Sequence, residues 1–415
     1  MEFIARPRHI TSWKTARLLA GLLLGILCVT DPARIAAQAG QEPPAPQASS
    51  AEQLKAAIDK LGDFDYDTRT AAARSVRRTA AAQAVPALRQ AVAEHADGYV
   101  RYRALVLLTG FNDPRTKDVM REALGSPNDR LRAVAYSFFE HQPDRATLAP
   151  LLTALEGEHG EFVRPSLVRA LAAQAAVFDD PQVRQTLLSE VKRGEDYFRS
   201  AVIESLGDYR AAYALDVLLE VAKQEGPLQD DAALALGKIG EPRVLNTLAT
   251  LQQTAPRSAQ PTIATAICLL GVNCGSHQNY LIETLKFADR NLGFQELMRA
   301  AAAGLGALAV AGSHDQAVGA LLDVGIPARD DTTRAPVALA LATVALRNTP
   351  LMLSVLAAHA DRDRAIDLIA EGFDGLEEDL DKETFFAAVR RTYWDSPETS
   401  PARQLMQTLI GKLDF

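Results

Sequence analysis

The residues able to do chemistry are few and scattered. His95, His141, His159, His277, His314 and His359 follow the first 39 residues. Imidazoles hold a metal or relay protons when two share a helix face, as in H-E-x-x-H, and no two of these stand four apart. They fall near helix ends and turns, where a solvated ring is the ordinary outcome. Neither a G-x-S-x-G nucleophile elbow nor a G-x-x-x-x-G-K-[ST] phosphate loop is present. The acid pairs Asp179-Asp180, Asp230-Asp231, Asp330-Asp331 and Glu377-Glu378 could serve as general acid and base. All sit at turns or helix starts, where a carboxylate meets the positive helix end. The sequence therefore predicts no catalytic, cofactor-binding or metal-binding residue, and no cofactor.

Cysteine chemistry depends on compartment. Arg6, Arg8, Lys14 and Arg17 form a basic start, "LLAGLLLGILCVT" an apolar run, and Ala37 and Ala39 an A-x-A site. This is the plan of a secretory signal peptide over 1–39, with cleavage expected after Ala39 and export to the periplasm or the extracellular space of a bacterial cell. The run is shorter than the roughly 20 residues of a membrane-spanning helix. An uncut segment holding an envelope-tethered protein is the alternative, and the membrane enters in no other way. Beyond the leader remain Cys268 and Cys274. Their spacing across a helix end at Gly271 could bring the Cα atoms within about 7 Å, the limit for bridging. Either they form a disulfide, or Cys268 is a small buried apolar residue and Cys274 a free loop thiol.

Charge narrows the partners. Without residues 1–39 the chain has 39 Lys and Arg against 50 Asp and Glu, a net −11. It holds no basic block, so nucleic acid is excluded as a partner. Runs such as "VALALATVAL" are strong helix formers, and aromatic residues make up only 6%, which argues for an all-α chain.

These helices repeat. After a Pro/Gln/Ser linker at 40–50, anchor positions recur at Arg69, Arg101, Arg132, Arg164, Arg199, Gln229, Ile263, Met298 and Arg334, with a weaker tenth row at Arg362. Three residues after the first nine anchors stand Ala72, Ala104, Ala135, Leu167, Val202, Ala232, Ala266, Ala301 and Val337. Seven after stand Val76, Leu108, Phe139, Leu171, Leu206, Leu236, Leu270, Leu305 and Leu341. Offsets of three and seven share one helix face, so each row begins with a helix that turns one stripe inward. Turn signals such as "FNDPR" and "FDDPQ" follow, and then a second apolar-striped helix. A lone pair cannot cover its own stripe, so the pairs must stack.

The early "VR..A" phrase and the turn "LGKIGEP" (236–242) resemble HEAT repeats, and most closely the short HEAT-like repeats also found in phycobilisome lyases. The resemblance covers roughly 55–360; the Ile263 and Met298 rows depart from it, lacking the anchor Arg and carrying longer turns. It implies a right-handed α-solenoid (an α-α superhelix) of about nine to ten helix pairs over 51–371, with second helices on the concave face. Arg89, Arg121, Thr153, Glu220, Thr250 and Glu283 are then the candidate partner-binding residues. For Arg69, Arg101, Arg132, Arg164, Arg199 and Arg334 it implies a structural role, through pairs with acids at helix starts such as Asp97, Asp129, Glu161 or Asp196; an anion-binding ladder is the alternative.

Residues 372–415 read as a helical cap, with an acidic run, the aromatics Phe385, Phe386, Tyr393 and Trp394, and a last helix begun by Ser400-Pro401. The function expected is a non-enzymatic, exported scaffold for protein–protein interaction that binds a protein or peptide. The alternative is a lyase-like or chromophore-handling enzyme built on the same repeat.

Overall fold

A computed structural model describes residues 49–312 and 314–415. The signal segment 1–39 and linker residues 40–48 lie outside the described residues. Within them no β-strand occurs, and 22 α-helices follow one another. Helix α1 (Ala51–Asp59) precedes the first anchor. Ten first helices carry the anchors: α2 (Tyr66–Arg77), α4 (Gly98–Thr109), α6 (Asp129–His141), α8 (Arg164–Phe178), α10 (Asp196–Asp208), α12 (Leu228–Ile239), α14 (Gln260–Leu269), α16 (Gln295–Ala311), α18 (Asp331–Arg347) and α20 (Arg362–Gly375). Nine second helices alternate with them: α3 (Ala81–Glu94), α5 (Thr116–Ala123), α7 (Leu148–Gly157), α9 (Pro181–Glu190), α11 (Leu215–Ala222), α13 (Leu245–Thr254), α15 (Cys274–Arg290), α17 (Asp315–Gly325) and α19 (Thr349–Ala358). The chain ends with α21 (Asp379–Asp395) and α22 (Pro401–Lys412).

Local chemistry sets these boundaries. Ser50 and Gln53 form a reciprocal capping box at the start of α1. The Asp65, Asn128, Asp330 and Ser400 side chains accept the free backbone N–H groups of α2, α6, α18 and α22. Asp180 does so for α9, with Pro181 at its first position. Gly240 ends α12 at φ 84°, a left-handed turn that favours glycine.

The repeated stripe is the core. All nine residues three places after an anchor are buried, and so are eight of the nine at seven places. Leu270 is the exception and is half-buried. Helix α14 stops at Leu269, and Gly271 (φ 77°) turns the chain away before Leu270 can enter the stripe.

Successive first helices pack closely on one another, whereas most second helices barely meet within their own layer. Small residues permit the close approach: a Cβ added at Gly237 would lie 2.5 Å from Ala266 Cα. Two layers of unequal spacing curve toward the tighter one, so the even-numbered first helices form the inner face. This corrects the expectation taken from the family resemblance. Arg89, Arg121, Thr153, Glu220, Thr250 and Glu283 lie on second helices, in the outer layer, spread along the solenoid.

Leu206→Ala, at a site with 0% exposure, is expected to lower the unfolding free energy by about 2–5 kcal/mol. Leu270→Ala should lower it by clearly less. Urea denaturation midpoints check both, and equal losses would contradict the end of the stripe at Leu269.

Candidate functional site

The anchor arginines are occupied. Arg101 Nε donates to the Val92 carbonyl at the end of α3, and Arg199 Nε to Val191 just after α9. Arg334 reaches the Gly325 carbonyl of α17, and Arg362 those of Leu356 and Ala357 in α19. Gln229 does the same for Ala222 in α11. The last carbonyls of a helix lack intrahelical donors and form its negative end, so these five anchors close the second helix before them. Arg69 donates to Asp63 and Phe64 carbonyls in the loop ahead of α2. Pairing with helix-start acids is the smaller part. Arg199 meets Asp196, but Arg132 and Arg164 meet Glu158 and Glu190, near the ends of α7 and α9. Ile263 and Met298 carry no such donor; Gln260 supplies the bond one turn earlier, to Ala255.

Four of the six outer-layer candidates also have partners, whereas Arg89 Nε is buried without one. Arg121 pairs with Asp118 and Asp144, Glu220 with Lys192, and Glu283 with Lys286. The Thr250 hydroxyl donates to Asn246 of its own helix. Cys268, in α14, and Cys274, opening α15, are joined in a disulfide.

What fills part of the inner face is the chain's own helix α21. Its polar face runs through Asp379, Glu383, Ala387 and Arg390, and meets the first repeats. The Glu383 carboxylate accepts from Arg77 Nε at 2.9 and 3.0 Å and from Nη2 at 2.7 Å, both side chains being buried. Asp379 accepts from the Tyr102 hydroxyl and, at 3.0 Å, from Arg103. The face 200° away, Phe385, Val389 and Tyr393, is buried in the core of the last repeats, while Leu380 enters the core of the first ones. Phe386 stacks on Phe415 at 4.1 Å and lies under the Arg77 guanidinium.

One polar cluster spans the inner face where α6, α8, α10, α18 and the start of α21 converge. His141 Nε2 stands 2.9 Å from Asp381, and Arg347 pairs with Asp381 and Glu378. The Tyr209 hydroxyl donates to Glu140 at 2.9 Å, and Arg169 faces the same carboxylate. Burial opposes charge on His141, but the Asp381 hydrogen bond and charge outweigh it and hold the imidazole pKa above its usual value. Burial would likewise raise Asp379 and Asp381. The charges and hydrogen bonds of Arg103 and Tyr102, and of His141 and Arg347, lower them instead.

The tail was read from its aromatics and its acidic run as a helical cap, and the pairing of half-buried Asp379 and Asp381 and of buried Glu383 with the first helices was missed. The available signal was the i, i+4 spacing of Asp379 and Glu383, which places both on one face.

With this architecture in view, the HEAT-repeat family profile matches residues 54–138, 87–172 and 184–268. The chain belongs to the HEAT-repeat family. No curated protein matches the sequence. Among solved structures, importin beta is similar at 13% identity over 86% of this chain and 55% of that chain, with a TM-score of 0.35. Kap121p bound to RanGTP is similar at 12% identity over 86% and 45%, with a TM-score of 0.39. The chain spans about half the length of these proteins.

Two predictions follow from the seam. Glu383→Gln strands a buried guanidinium and should cost about 3–5 kcal/mol. Proteolysis should then cut near Leu376–Glu378 before any repeat is lost; unchanged stability and cleavage would contradict the docking of α21. The pH dependence has two signs. A raised His141 pKa gives a contribution complete below 6.5 that is lost as pH rises through the folded value. Lowered Asp379 and Asp381 values give a contribution present above 3.8 and lost as pH falls through the folded values. Thermal midpoints should therefore fall above pH 6.5 in the unaltered protein, and less steeply in His141→Gln. Parallel alkaline limbs would show that His141 has no part.

Proposed function

We propose that the protein is an exported, non-enzymatic scaffold whose inner face binds a protein or peptide partner. The observation that carries this reading is the curved double layer itself, with a long inner face of first helices only partly filled by α21. Stacked repeats offer an extended surface whose stability does not depend on the residues that face the partner. Export is supported by the three-part leader over 1–39 and suits a disulfide between Cys268 and Cys274.

The stretch of inner face that α21 leaves open is acidic in its middle. Glu204 and Asp208 of α10 reach solvent, Asp208 pairs with Lys238, and Asp231 of α12 accepts from Ser200. Protein packed around Glu204, and the Asp231 and Asp208 charges, raise its pKa against the opposing Lys238 and Arg169. A partner segment with basic side chains complements this surface.

Affinity capture from the native envelope fraction tests the reading. Material beginning at Gly40 and carrying a co-purifying protein is the expected result. The charge reversal Glu204→Lys with Asp208→Lys should release that partner, while Glu220→Lys with Glu283→Lys on the outer layer should not. Retention through both pairs, or release only by the outer pair, would reject the inner face as the binding surface.

A further inference from the structure

The seam where α21 meets the first repeats contains a pocket that the scaffold reading does not use. It encloses about 210 Å³ between the end of α2, the end of α4 and α21. Arg77, Glu383, Arg390 and Arg391 line it, with Phe111 and Trp394 among its walls. Arg78, the residue that follows α2, is not part of the lining but lies near enough for its charge to act on Arg390.

The charges here do not balance. Glu383 is the one carboxylate in the group, and both of its oxygens are taken by Arg77. Arg390 spends one nitrogen on the Arg77 carbonyl at 2.7 Å. Among the described residues no acid pairs with Arg78, Arg390 or Arg391. Arg78 and Arg390 are half-buried and Arg391 is exposed. Burial lowers the Arg390 pKa, the Glu383 carboxylate opposes that shift, and the neighbouring Arg77 and Arg78 charges add to it. Arg103 has Asp379, and Arg347 has Glu378 and Asp381. Around this cavity Arg77, Arg78, Arg390 and Arg391 share the single carboxylate of Glu383.

We propose that this pocket binds a small oxyanion, a phosphate or carboxylate group on a small molecule, that bridges α21 to the end of α2. Guanidinium forks match both groups. The volume suits a small molecule, and the aromatic walls suit one with an apolar part. The anion contacts Arg390 and Arg391 on the α21 side of the seam, with the charge of Arg78 at the end of α2 acting from the other side. It therefore binds the docked arrangement alone and stabilises it by mass action.

Trp394 provides the readout. The chain has two tryptophans, Trp13 and Trp394, so Trp13→Phe in the full chain leaves the pocket residue as the one tryptophan, excited at the red edge where tyrosine does not absorb. Inorganic phosphate and succinate are titrated separately at constant ionic strength, with chloride as the balancing anion. Saturable change in Trp394 emission with either probe, together with a raised thermal midpoint, is expected. The responding probe identifies which oxyanion the site takes. Arg391 is exposed and makes no internal bond, so Arg391→Gln should weaken binding about ten-fold with the ligand-free midpoint unchanged. Arg78→Gln should weaken it from the other side, and Arg243→Gln, in the outer half of the repeat, should not. Absence of saturation by both probes up to about 10 mM, an affinity too weak for a specific site, would overturn the proposal. So would equal binding by the Arg391→Gln protein.

Discussion

Arg77 and Glu383 stand 306 residues apart in the chain and meet with both side chains buried. Neither could be buried alone, because an unpaired charge in a protein interior costs several kcal/mol. The pair therefore ties the shape of the whole solenoid to the position of one helix. If the inner layer curved more or less steeply, α21 could not reach the first repeats and the last ones together. Gly110 shows how tight the fit is: a Cβ there would lie 2.5 Å from Glu383 Oε1. That carboxylate is held by three hydrogen bonds and cannot step aside.

The curvature that permits this contact is set by small residues and by the anchors. Ala or Gly at the meeting points of consecutive first helices lets their backbones approach, as at Gly237 and Ala266. On the other side, Arg101, Arg199, Arg334 and Arg362 tie the start of a first helix to the last carbonyls of the second helix before it. The angle between the two layers is thereby repeated from row to row. In two of the three rows where the arginine is missing, Gln229 and Gln260 supply the same bond. An amide suffices because the task is to donate to a carbonyl, and charge adds to it without being required.

Much of this was legible in the residues. Offsets of three and seven from each anchor mark the buried stripe, and turn residues mark the breaks between helices, because both arise from local geometry. The layer order was not legible. Periodicity shows which side of a helix is buried, but curvature depends on the difference in spacing between two layers, and the second helices carry stripes as apolar as the first. The family resemblance placed the second helices inside, and Arg121 and Glu283 prove to be paired on the outer layer. The path of α21 was hidden for a related reason. Its two faces serve opposite ends of the chain, so its apolar stripe, Phe385, Val389 and Tyr393, reads as that of an ordinary terminal cap.

Those two faces also decide what α21 can do. A helix held on one side could be displaced by a partner that mimics it. Removing α21 would expose Leu380, Phe385, Val389 and Tyr393, each worth about 1.5–3 kcal/mol of burial, besides breaking the Arg77–Glu383 pair. The apolar part alone is roughly 6–12 kcal/mol. A partner with intrinsic micromolar affinity brings about 8 kcal/mol, and displacing α21 would consume most or all of it. Binding by displacement is therefore the costly route. The open part of the inner face, around Glu204 and Asp208, is available to a partner with α21 in place. On this reasoning α21 holds the curvature fixed, and the surface it leaves free is presented already shaped.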